Sequence, residues 1–189
     1  MARVSKVAIE RVFHWEDYEN IRIRFEYELA DQDNPYSVLY DAYTTIENAE
    51  KVFALAREVI RFHQHRFRSF LYEVNKRIHR TEADIEDIKK KLEALKQGRI
   101  PCGECPSGSI QEYLERRTKE LQEKLKDKET RLKYLKELSI EVMRLRNSAY
   151  TVLEDAKRLF AERDFQRAQL ILRDILTQIE ELERKINSA

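Results

Sequence analysis

Between Tyr36 and Gln97 the chain carries neither glycine nor proline. A stretch of that length without a backbone breaker is hard to fold as anything but helix, because sheets and compact globules need turns, and turns draw on those two residues. All three glycines, both cysteines and two of the three prolines are gathered in residues 98–108, GRIPCGECPSG. A single chain reversal is therefore expected there.

The apolar pattern supports this reading. Phe53, Ile60, Phe67, Leu71, Val74, Ile78, Ile85, Ile88, Leu92 and Leu95 recur every three, four or seven positions. Leu71, Ile78, Ile85 and Leu92 fit one heptad position, and Val74, Ile88 and Leu95 fit its partner, with Thr81 the only break. A helix from about 46 to 97 would run roughly 75–80 Å at 1.5 Å per residue. Beyond the glycines, Ile110, Leu114, Leu121, Leu125, Leu132, Leu135, Leu138, Val142 and Leu145 resume the spacing, with Lys128 as an interruption. Two amphipathic helices around a short loop predict an antiparallel coiled-coil hairpin over 46–147 with its apex at 98–108.

The flanks read differently. In NIRIRFEYEL (20–29) Ile21, Ile23, Phe25, Tyr27 and Leu29 alternate with Arg22, Arg24, Glu26 and Glu28, the period of a half-buried strand. Residues 4–13 are also strand-prone, so His14–Asn20 is expected to connect a β-hairpin. Pro35 is placed to open a helix. Residues 1–45 thus form a β-hairpin plus the start of a helix, part of a base domain. Residues 148–189 read as a helical hairpin, broken near Glu162–Asp164, that packs on this base. The expected fold class is mainly α: a long antiparallel coiled-coil hairpin with a small N-terminal β-hairpin and a C-terminal helical pair.

The 36 basic and 35 acidic residues leave a net charge of +1, so overall charge selects no partner. No run of 18 apolar residues predicts a membrane span, and no apolar leader opens the chain, so a cytoplasmic protein is expected. Nucleophile elbow, metalloprotease helix, phosphate loop and EF-hand patterns are all missing from the sequence, and a non-enzymatic role is expected.

Cys102 and Cys105 carry the most specific chemistry. A C-x-x-C pair can direct two thiolates at one zinc ion, but a structural zinc takes four ligands. The four histidines, His14, His63, His65 and His79, supply no chelating pair near the apex. One chain offers two ligands there, and two chains offer four. A shared zinc in a homodimer or higher homo-oligomer is one use of the pair. Disulfide or redox chemistry and chemically idle turn thiols are the others.

This Gly/Pro-bounded C-x-x-C between two coiled-coil arms resembles the zinc hook of the SMC-like DNA double-strand-break repair ATPases, over about residues 82–137. The resemblance implies that Cys102 and Cys105 hold half of a zinc site completed by a second copy. It does not extend to an ATPase head, since every glycine lies at 98–108. The order Cys-Gly-Glu-Cys-Pro also places proline after the pair, where that family carries it inside.

A second motif leads to an alternative function. Residues 57–80, REVIRFHQHRFRSFLYEVNKRIHR, hold seven Arg or Lys against two Glu, interleaved with Phe62, Phe67, Phe70 and Tyr72. Such a mixture suits single-stranded DNA or RNA, by phosphate attraction and base stacking. Arg61, Arg66, Arg68, Arg77 and Arg80 are the expected contacts. The competing reading is that the aromatics are core and the arginine stems cover it.

Overall fold

The computed structural model describes residues 6–16, 19–29, 34–99 and 109–189. Cys102 and Cys105 lie outside the described residues. Two strands, β1 (Lys6–Glu16) and β2 (Glu19–Glu28), precede four helices: α1 (Pro35–Arg61), α2 (Phe67–Lys96), α3 (Ile110–Ala161) and α4 (Phe165–Ser188). A five-residue π-helical turn, Phe62–Arg66, joins α1 to α2. The fold is mainly helical with a small antiparallel N-terminal sheet, as the sequence predicts. No helix among the described residues is long and apolar enough to cross a membrane.

The strands pair from Lys6↔Glu28 to Glu16↔Glu19, with an irregularity between His14 and Glu16. His14 and Asn20, expected in the connection, are instead paired strand residues. The β-prone pattern continues through Trp15, and only 17–18 separate the strands, a spacing suited to a tight hairpin. Arg22, Arg24, Glu26 and Glu28 are exposed, as their alternation predicts. Arg22 pairs with Glu10 at 3.1 Å, and Lys6 pairs with Glu26.

Helix ends follow local capping chemistry. Asn34 Oδ1 accepts from the Tyr36 amide at 3.0 Å, and Pro35 fills the first helical position, where an amide would have no intrahelical partner. At the end of α2 the Gly98 amide donates to the Leu95 carbonyl and the Arg99 amide to that of Ala94, both at 2.9 Å. This reversal needs φ near +70° at Gly98, which glycine adopts without a Cβ clash. The same bond pattern ends α3, but with Arg163 at φ +64° in the glycine position. Asp164 then caps α4, accepting from the Arg167 amide at 3.2 Å.

Contacts divide the chain into two compact units. The first comprises 1–67 and 144–183. Its core contains fully buried alanines, Ala42, Ala49, Ala56, Ala149, Ala156 and Ala168, beside larger residues such as Val52, Val59, Phe62, Leu172 and Ile179. Arg66 pairs with Glu183 at 2.7 Å, and Gln169 donates to the Asn48 carbonyl at 3.3 Å. Phe160 and Phe165 meet edge to face across the α3–α4 turn. On α1 the buried face runs through Val52 and Val59, leaving Phe53 and Ile60 only half-buried, one residue away from the expected seam.

The π turn explains that shift. Val59 and the buried Phe67 are eight residues apart, one more than a heptad. A π turn holds one extra residue, so both can face the same way. His63, inside the turn, has its Nδ1 3.4 Å from the Arg146 carbonyl oxygen and its ring 5.6 Å from that of Tyr150. The Arg146 guanidinium lies 4.3 Å above the Phe67 ring.

The second unit comprises 68–143 and 184–189. Here α2 and α3 run in opposite directions, as two of their three ion pairs record. Glu82 meets Lys136 at 3.0 Å, Asp84 meets Lys128 at 2.5 Å and Lys89 meets Glu129 at 3.5 Å. From Glu82 to Lys89 is one heptad forward on α2, and from Lys136 to Glu129 one heptad back on α3. Ile88, Leu92, Leu95 and Leu121 form a buried cluster, with Leu114 and Leu125 packed against it. Val74, Ile78, Ile85, Leu135, Leu138 and Val142 are buried as well, so the apolar positions expected to face inward on α2 are buried from Val74 to Leu95.

A candidate anion-binding cleft

The five arginines expected to contact nucleic acid are divided between the two units. Arg61 and Arg66 belong to the first unit and Arg68, Arg77 and Arg80 to the second. Arg61 is paired with Glu58 at 2.7 Å, and Arg66 with Glu183. Arg68 is exposed on α2. The aromatics between them are mostly committed to packing: Phe62 and Phe67 are buried, Phe70 is half-buried, and Tyr72 alone is exposed. A stacking surface made from all four is therefore not available.

Arg77 and Arg80 do come together, in a cleft of about 370 Å³ within the second unit. Its α2 wall is Glu73, Lys76, Arg77, Arg80, Thr81 and Asp84, and its α3 wall is Lys128 and Arg131. The α2 members follow from helical geometry, since positions 73, 76/77, 80/81 and 84 share one face. Five cations against two carboxylates make the cleft net positive.

Three of the cations are held in place. Arg77 Nε donates to Glu73 at 3.0 Å while its Nη1 donates to the Ile186 carbonyl at 2.6 Å. Arg131 donates to the Ala189 main-chain oxygen at 2.5 Å. Both thereby satisfy acceptors at the C-terminal end of α4, where positive charge is favoured. Lys128 donates to Asp84 at 2.5 Å. That hydrogen bond, assisted by the charges of Lys128, Arg80 and Arg131 and opposed by partial desolvation, holds the Asp84 carboxyl below its ordinary pKa. Lys76 and Arg80 make no hydrogen bond or ion pair among the described residues, and both are exposed.

The sequence signal for the cleft lies in its two seam breaks. Thr81 interrupts the apolar positions of α2, and Lys128 those of α3. Both line the cleft. Thr81 is buried and turns its hydroxyl onto the Arg77 carbonyl at 2.9 Å, so it offers no free donor. Lys76, Lys128 and Arg131 were not among the expected contacts, because two of them belong to a helix far along the chain from the basic stretch. No family model, curated protein or solved structure matches the chain.

Proposed function

We propose that this chain is a non-enzymatic interaction protein, a scaffold or tether that associates with copies of itself. In this reading α2 and the N-terminal part of α3 form the antiparallel coiled-coil hairpin expected over 46–147, and Cys102 and Cys105 in the connection between them bind zinc jointly with a second chain. The observation that carries it is the opposed direction of α2 and α3, recorded by the pairs Glu82–Lys136 and Lys89–Glu129 and by a shared apolar cluster. With the two helices opposed, the end of α2 and the start of α3 are joined in sequence by the segment that holds Cys102 and Cys105. In this reading the chain is cytoplasmic, where thiolates stay reduced and available to a metal.

Zinc content measured alongside oligomeric mass tests the proposal. About half a zinc per chain, with a dimer that dissociates on chelation, is expected for a four-thiolate site shared by two copies. Cys102→Ser should abolish both. A wild-type protein that purifies metal-free and monomeric refutes it.

A further inference from the structure

We infer that the cleft lined by Lys76, Arg77, Arg80, Lys128 and Arg131 is a phosphate site, occupied by the backbone of a nucleic-acid strand whose bases it does not read. This goes beyond the tether reading and does not depend on it.

The first ground is how the cleft is made. A heptad seam gains most from a large apolar residue at each inward position, and an ionised lysine there gives up stability. Here Thr81 interrupts the seam on α2 and Lys128 that on α3, and both interruptions open onto the same space. Departures from local packing rules that coincide in three dimensions are characteristic of sites kept for function.

The second ground is the charge. The lining carries three more cations than carboxylates. Glu73 offsets Arg77, Asp84 offsets Lys128 and an α-carboxyl oxygen of Ala189 holds Arg131, so these partners fix the walls and the charge left for a ligand is that of Lys76 and Arg80. The unpartnered cations, Lys76 and Arg80, are one helical turn apart, about 6 Å along α2. Guanidinium groups held in place match phosphate oxygens through paired N–H donors, and lysine adds a compact charge. At about 370 Å³ the space is within the range of ligand clefts, ~300–1,000 Å³.

The third ground selects the ligand. No aromatic or large apolar side chain lines the cleft, so it offers neither a face on which a base could stack nor an anchor for lipid tails. Cations in two rows on facing helices suit an anion that repeats along a line. Contacts of this kind position a strand and carry no sequence information.

Fluorescence anisotropy of the full chain with a labelled 15-nucleotide dT strand tests the assignment. Two neutralised phosphates predict a log–log salt slope of about −1.4 for a single strand, a loss of roughly 7-fold between 50 and 200 mM salt. Heteropolymer strands should bind within about threefold of dT, as expected without base readout. Lys76→Gln with Arg80→Gln should lower affinity at least tenfold and bring the slope close to zero. Thr81→Leu with Lys128→Leu fills the cleft with seam residues, and should abolish binding while the melting temperature stays level or rises. Tripolyphosphate should compete. Cys102→Ser should bind like wild type, which separates this site from the tether.

Absence of salt-dependent binding by wild type overturns the inference, as does full-strength binding by either double variant. Tripolyphosphate binding that leaves the strand undisplaced, or tighter binding to polyglutamate or phosphatidylserine vesicles, overturns the choice of ligand.

Discussion

Deleting Gln64 should be tolerated where deleting Ala54 is not. Both residues lie on the same run of helix, Ala54 exposed within α1 and Gln64 inside the π turn. Removing a residue from a regular helix rotates everything beyond it by about 100° relative to what precedes it. Loss of Ala54 therefore turns Val59, Phe62 and Phe67 away from the core of the first unit. At about 1.5–3 kcal/mol for each side chain, exposing even two of them costs roughly 3–6 kcal/mol. Loss of Gln64 instead removes the surplus residue of the π turn, leaves Val59 and Phe67 one heptad apart, and allows ordinary helical bonding. What is lost is the positioning of His63 beside the Arg146 carbonyl and the Tyr150 ring. A long hydrogen bond and one tilted ring contact are together worth about 1–2 kcal/mol. For 189 residues, at about 2.1 cal/mol/K each, unfolding entropy is roughly 0.4 kcal/mol per degree. The expected fall in melting temperature is then about 3–5 °C without Gln64 and about 8–15 °C without Ala54. Circular dichroism melts at matched concentration measure both. Equal damage from the two deletions would refute the view that the π turn is a phase correction.

Two further outcomes follow from caps and charges. Asp164→Ala removes the acceptor for the Arg167 amide and should cost about 1 kcal/mol, or roughly 2–3 °C in a thermal melt; Asp164→Asn should retain most of it. Glu82, Asp84, Glu86 and Glu120 are all held below the ordinary carboxylate range, first by side-chain hydrogen bonds from Lys136, Lys128, Lys90 and Arg117 respectively. Carboxyls depressed in the folded state lend stability that is complete above their unfolded pKa and is lost as pH falls through the folded one. Melting temperature should therefore decline below about pH 4, and the decline should be shallower in Lys136→Gln; a flat acid limb in wild type would contradict the ion-pair geometry.

Much of the architecture was legible because its signals are local. Pro35 opens α1 after Asn34, the alternation of residues 20–29 gives β2, and the polar break at 162–164 separates α3 from α4. From Val74 to Leu95 the seam was readable because its residues are large, apolar and regularly spaced. On α1 the contrast is weak. Val52 and Phe53 are both apolar, as are Val59 and Ile60, and alanine carries little hydrophobic signal, so the one-residue offset that the π turn absorbs does not stand out. The cleft was hidden for another reason. Thr81 and Lys128 each look like an isolated fault in a repeat, and only the register of two opposed helices brings them to one place. Three of the five expected arginines are also engaged locally, because Arg61, Arg66 and Arg77 each have a carboxylate within reach.

The alanines that fill the first unit invert the usual logic of core damage. Where a side chain is a single methyl group, truncation has almost nothing to take away, and harm comes from adding atoms. Replacement at those positions is confined to small residues, glycine itself costing about 1 kcal/mol of helix stability, while drift on the larger seam residues of α2 can pass among Leu, Ile and Met. The two stretches of one continuous helical run should therefore evolve under opposite size limits, a ceiling on one and a floor on the other.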